Sequence, residues 1–153
     1  MRYWTMNRKI RRCYFMANIV IPIIGGTIIY LLARPDTYIS QLAYGLLGVS
    51  PQSENLRVNM PVSFWRFICN FAADILWAYS LTFAVYNVLY DSFKNTLPSI
   101  IICFVFETTI ELLQLFNGLP GTFDLWDIAL EICATAIASL NIKHIRRKTN
   151  ESV

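Results

Sequence analysis

Residues 106–131 read FETTIELLQLFNGLPGTFDLWDIALE and set five carboxylates, Glu107, Glu111, Asp124, Asp127 and Glu131, into otherwise apolar sequence. At 100° per residue, Glu107, Glu111 and Gln114 fall within about 60° of one another on a helix, and Asp124, Asp127 and Glu131 do the same after the turn. Upstream, Asn70 and Asp74 are one helical turn apart, and Trp77 lies one turn further on, near the same stripe. Carboxylates and amides grouped in this way could hold a divalent cation, because hard cations take oxygen ligands. Paired carboxylates could also do acid and base work on a lipid-linked sugar. They could carry protons or cations, or they could simply tie helices together. The spacing alone does not choose among these.

Other chemistries are excluded. The single histidine, His144, stands in a basic tail without a second ligand nearby. No zinc site with histidine ligands and no Ser-His-Asp triad can therefore be built in the apolar segments. There is no Gly-rich phosphate loop. Cys13, Cys69, Cys103 and Cys133 form no CxxC pair and each falls in an apolar run, so they read as small buried hydrophobes. No soluble cofactor is expected, and an enzyme is not the favoured reading.

The elements that must position the acids are membrane helices. The chain is 56% hydrophobic and only 15% charged, whereas soluble domains carry about 25% charged residues. With 153 residues it is one domain, residues 1–153. A helix needs roughly 20 apolar residues to cross the hydrocarbon core. Four runs qualify: residues 13–33, 63–90, 97–116 and 123–142. The expected fold is all-α and polytopic, with four transmembrane helices. The first run is too long for a signal peptide, and no A-x-A-like site follows it, so it is expected to stay as an uncleaved helix. Pro22, Gly25 and Gly26 are expected to kink it, while Pro61 and Pro98 suit helix starts.

Orientation is read from Lys and Arg. Arg2, Arg8, Lys9, Arg11 and Arg12 precede the first span, Lys94 lies between the second and third, and Lys143, Arg146, Arg147 and Lys148 follow the fourth. Arg34, Arg57 and Arg66 belong to the other side. Both termini are expected to be cytoplasmic. The basic tails then act as topology signals and attract anionic lipid, and no nucleic-acid partner is expected. Residues 34–61 form the outer segment. Within it Tyr38, Ile39, Leu42, Ala43, Leu46 and Leu47 share one helical face, predicting a short amphipathic helix on the outer membrane surface or over the bundle, started by Asp36 or Thr37.

Gln114 and Asp124 flank the turn NGLPGT, and Glu107 and Glu131 lie seven residues deeper, roughly 10 Å along a helix. Asp74 sits at a similar depth, so the three polar stripes are expected to converge in the outer half of the membrane. An isolated Asp at a helix centre costs roughly 2.5–3.5 kcal/mol on insertion scales, which argues against accident. No Lys or Arg lies deep in any span, and Arg66 and Arg57 are the nearest expected partners. The expected pocket is Asp74, Glu107, Glu111, Gln114, Asp124 and Asp127, supported by Asn70, Trp77, Arg66 and Glu131.

The run ELLQ at positions 111–114, a short turn, and then GTFDLWD at 121–127 resembles the VanZ-like family of small bacterial membrane proteins. Glu111, Gln114, Asp124 and Asp127 match the family's motif, and DILWAYSL at 74–81 looks like a stretch found in part of it. This chain differs in having GLPGTF where members often carry an arginine, Glu131 near a usual Asn, and CATAIAS in place of a Gly-rich stretch. The resemblance implies a protein of the bacterial cytoplasmic membrane that acts on or shields an envelope component, such as a lipid-linked precursor or a lipoglycopeptide. A role in teicoplanin resistance follows from the family's founding member. The alternatives are a small proton- or cation-coupled carrier, which at this size would act as a homodimer, and an intramembrane enzyme on an envelope lipid. A partner subunit with purely structural acids is the remaining rival.

Overall fold

The computed structural model describes residues 8–48, 61–89, 96–116, 118 and 123–150, with side chains described from Arg12 to Arg147. Arg57, Lys94 and most of the turn NGLPGT lie outside the described residues, as does nearly all of the segment GVSPQSEN. The order is α1 (Arg8–Ala33), α2 (Tyr38–Leu47), α3 (Val62–Phe67), a π-helical turn (Ile68–Ala72), α4 (Ala73–Leu89), α5 (Leu97–Leu115) and α6 (Leu125–Asn150). Four stretches are long and apolar enough to cross a bilayer: Arg12–Ala33, Val62–Leu89, Leu97–Leu115 and Leu125–Arg147. The described residues are thus all-helical, as in a multi-pass membrane protein. A helix meets its backbone's hydrogen-bonding needs within its own segment, as lipid requires.

Two boundaries differ from expectation. The fourth helix was expected to stop at residue 142, yet α6 runs on to Asn150. No Gly or Pro interrupts KHIRRK, Ile142 and Ile145 stay buried there, and Lys143, Arg146 and Arg147 suit the negative end of a helix dipole. Likewise α1 begins at Arg8, ahead of residue 13, and continues unbroken through Pro22.

The hub is α4, which packs against α1, α5 and α6; α5 also packs on α6. The apolar core lies toward the start of α1 and the ends of α4 and α6: Phe15, Phe83, Tyr86, Ala138, Ile142 and Ile145. Phe15 meets Phe83 edge-on at 5.6 Å and stacks on Tyr86 at 5.9 Å between ring centroids. Beside it a polar clasp joins three helices. Tyr79 donates to Asn18 Oδ1 at 2.7 Å, Asn141 donates to the Tyr79 hydroxyl at 2.8 Å, and Tyr14 donates to Asn141 Oδ1 at 3.3 Å. Small residues let α6 approach closely, with Ala134, Thr135, Ala138 and Ser139 all buried. Ile21, Ile28, Val105 and Leu140 instead point outward, as lipid-facing residues do.

The predicted amphipathic helix is α2. Thr37 caps it, accepting from the Ser40 backbone N–H at 3.4 Å. Gly48 closes it at φ 65°, a left-handed conformation that favours glycine. The Tyr44 hydroxyl ties α2 to the end of α1 by donating to the Leu31 carbonyl at 2.8 Å. Tyr38, Ile39, Leu42, Leu46 and Leu47 face away from the bundle, which suits a helix lying in the membrane interface.

Candidate functional site

The buried stripe of α5 is Ser99, Cys103, Glu107 and Glu111, one residue per turn. Two carboxylates therefore enter the interior one above the other, with Glu107 6% and Glu111 4% exposed. Asp74 on α4 and Asp127 and Glu131 on α6 are half-buried and face the same region. Glu131 lies within electrostatic range of Glu107, Asp74, Glu111 and Asp127, so the acids of three helices do meet.

Their surroundings differ. Glu107 Oε1 accepts from Thr135 at 3.1 Å, and Thr135 is hydrogen-bonded to Thr82 at 3.2 Å. Thr82 shares its single proton between Thr135 and the Ala78 carbonyl of its own helix at 2.9 Å, and the contacts of Thr82, Thr135 and Glu107 link α4, α6 and α5. Three carboxylate oxygens, Glu107 Oε2, Glu131 Oε2 and Asp127 Oδ1, are buried with no hydrogen-bond partner among the described residues. Such orphaned acceptors are costly and call for an explanation.

Asp124 has a different role. Its Oδ1 accepts from the Trp126 backbone N–H at 2.9 Å, making Asp124 the N-cap of α6. Glu111 Oε2 then accepts from the Asp124 backbone N–H at 3.4 Å. In a capping box that bond comes from the side chain three residues into the helix. Here a carboxylate from the neighbouring helix makes it, and the residue at that third position, Asp127, is released to turn inward. Asp124→Ala is expected to lower stability by about 1 kcal/mol, the usual value of an N-cap. Thermal unfolding in detergent would check this, with Asp124→Asn, a good cap itself, staying close to wild type.

Beside the acids lies a cavity of about 530 Å³. It is walled by Tyr30 and Arg34 from the end of α1, by Asp74, Trp77 and Leu81 of α4, by Phe106, Glu107 and Gln114 of α5, and by Glu131 of α6. Since α1 packs mainly on α4, α5 packs on α4 and α6, and α1 and α5 scarcely touch each other, the cavity opens between α1 and α5. Glu111 and Asp127 adjoin it without lining it.

Among the described residues, the basic residue in its lining is Arg34, rather than the expected Arg66, which is exposed and outside the lining. The Arg34 guanidinium stacks 5.6 Å from the centre of the Tyr30 ring and donates to the Asn70 carbonyl at 3.5 Å. Asn70 thus contributes its backbone, and its side chain is exposed. That carbonyl belongs to the π turn just ahead of Asp74, a local widening of the helix that often marks functional sites. Tyr30 in turn packs on Trp77 at 5.5 Å, fixing the indole as a cavity wall. A signal for Arg34 was present in the sequence: it ends the first span four residues after Tyr30, on the same face.

No group of three or more His, Cys, Asp and Glu among the described residues is arranged to hold a metal ion. The divalent cation considered from composition thus lacks a ligand set there. No protein-family model, curated protein or solved structure matches this chain, so the likeness to the VanZ-like family rests on residues 111–127, the 74–81 stretch and the four-span layout.

Proposed function

We propose that this is a bacterial envelope protein of the cytoplasmic membrane whose acidic cavity faces the cell exterior, and that it binds, and so acts on or shields, an envelope component. The observation that carries this reading is the cavity of about 530 Å³ lined by Asp74, Glu107 and Glu131 from three helices. Ligand sites of roughly 300–1,000 Å³ with apolar walls and a few convergent polar groups are the usual form for small molecules and headgroups. The charge distribution supports cytoplasmic termini, which puts α2, Arg34 and the cavity mouth on the outer side. The VanZ-like resemblance supports a lipoglycopeptide or lipid-linked precursor as the component, with teicoplanin protection as the phenotype.

Teicoplanin susceptibility of a Gram-positive host tests the reading, with membrane abundance checked by blot. Wild type is expected to protect, Glu107→Gln and Asp74→Asn to lose protection at equal abundance, and Asp124→Asn to keep it because the cap survives. Lack of protection by well-expressed wild type would remove the resistance role.

A second reading is a small carrier for protons or cations. The unpartnered oxygens of Glu107, Glu131 and Asp127 favour it, since such groups mark ion pathways in membranes. Ion flux into proteoliposomes, lost in Glu107→Gln, would select this reading.

A further inference from the structure

We infer that the cavity takes a primary ammonium group carried on an apolar body, the nitrogen sitting between Glu107 and Glu131. This rests on the reading of the cavity as a binding site and names the ligand class.

Glu107 is the first part of the argument. It is 6% exposed, lines the cavity, and has its Oε1 held by Thr135 while Oε2 has no partner among the described residues. A buried acceptor of this kind is satisfied by an incoming N–H or O–H donor. Glu131, on the adjoining helix α6, lines the same cavity, and its Oε2 is likewise without a partner among the described residues. Two orphaned carboxylate oxygens from adjoining helices suit a group with several donors and a positive charge. An ammonium offers three N–H donors on one compact cation.

Charge disfavours the opposite class. Among the described residues, Asp74, Glu107 and Glu131 line the cavity with one arginine, and Arg34 also donates to the Asn70 carbonyl and lies over the Tyr30 ring. An anion would face net repulsion there. A bare proton or metal ion leaves the volume unexplained, because one water occupies about 30 Å³ and the cavity offers about 530 Å³. The walls beside the acids are Trp77, Leu81, Ala84 and Phe106, which hydrate poorly and suit a hydrocarbon. A quaternary ammonium, the usual guest of aromatic walls, has no N–H to give the orphaned oxygens, and Arg34 already covers Tyr30.

The test titrates hexylammonium, hexyltrimethylammonium and hexanol onto the full chain in lipid nanodiscs by calorimetry, with empty nanodiscs as blank. Saturable binding of hexylammonium is expected, with the other two weaker by at least about tenfold, the scale of one charge-assisted hydrogen bond. Glu107→Gln, which keeps shape, is expected to weaken hexylammonium by a similar factor while leaving hexanol unchanged. Should that variant not fold, the three-ligand comparison on wild type decides alone. Equal binding of all three, or hexylammonium binding unchanged in Glu107→Gln, would overturn the inference. If teicoplanin protection depends on Glu107 but no preference for the primary ammonium appears, the ligand class is wrong and the binding site stands. If no probe saturates and no cell is protected, both fall.

Discussion

Gly26→Leu is expected to leave almost no folded protein in the membrane. A Cβ at Gly26 would stand 2.7 Å from Trp77 Nε1, 2.9 Å from Trp77 Cδ1 and 3.2 Å from the Ala73 carbonyl oxygen. Real Cβ contacts do not approach that closely, so α1 and α4 must separate or the indole must leave. Trp77 is poorly free to move, being packed on Tyr30 and forming a cavity wall. Gly26→Ala is expected to cost about 1–3 kcal/mol, as overpacking usually does, and the longer leucine more. Adding Trp77→Phe to Gly26→Ala should recover part of the loss, because it removes the indole contact but not the backbone one. Unfolding by heat or by denaturing detergent, followed by circular dichroism, gives the values. A Gly26→Leu protein as stable as wild type would show that α1 does not sit on α4 at this point.

Phe83→Ala is the second large effect. Phe83 is 0% exposed and packs against Phe15 and Tyr79 at the centre of the apolar core. In water, burying such a ring draws on the hydrophobic effect. In lipid the separated helices already sit in hydrocarbon, so what truncation removes is mainly packing. The expected cost is therefore about 2–3 kcal/mol, at or below the low end of the range for soluble cores. Ile21→Ala makes the comparison, because Ile21 is 68% exposed on the lipid-facing side of α1. It is expected to change stability by less than about 0.5 kcal/mol. Similar losses at the two positions would place the core elsewhere.

These substitutions separate the two halves of the bundle. The half with Phe15, Phe83 and Ile142 is dry and apolar, with one neutral clasp of Tyr79, Asn18 and Asn141. The half with α2 and Arg34 holds the acids, the π turn and the cavity. Helix association is secured in the first, which leaves the second free to keep carboxylate oxygens unpaired. Stability lost at Phe83 and binding lost at Glu107 should accordingly be separable in measurement, whereas substitution at Gly26 also presses on the cavity wall at Trp77.

Much of this was legible in the sequence. Four apolar runs of about 20 residues or more, bounded by prolines, glycines and charges, specify four crossing helices, because a run of that length satisfies its own backbone in lipid only as a helix. The period of 3.6 places Glu107 and Glu111 on one face, and both are buried together. The same period, with Thr37 as cap, specifies α2. The first span was read to within one residue, while the fourth was read too short at its end because hydropathy falls where the basic tail begins, although nothing in that tail breaks a helix.

Tertiary structure alone decided what each acid does. The D-x-x-D spacing of Asp124 and Asp127 is equally a helix start and a pair of ligands; Asp124 caps α6 with its own carboxylate, and only the approach of Glu111 from α5, which takes the Asp124 backbone N–H, frees Asp127 to turn inward. Arg34 looked like a topology charge until α1 packed on α4 and brought it over Tyr30 and the π turn. The physical reason is that periodicity determines which residues share a face of one helix, while the rotation and separation of helices are set by contacts between them, such as Gly26 against Trp77, which no single stretch of sequence contains.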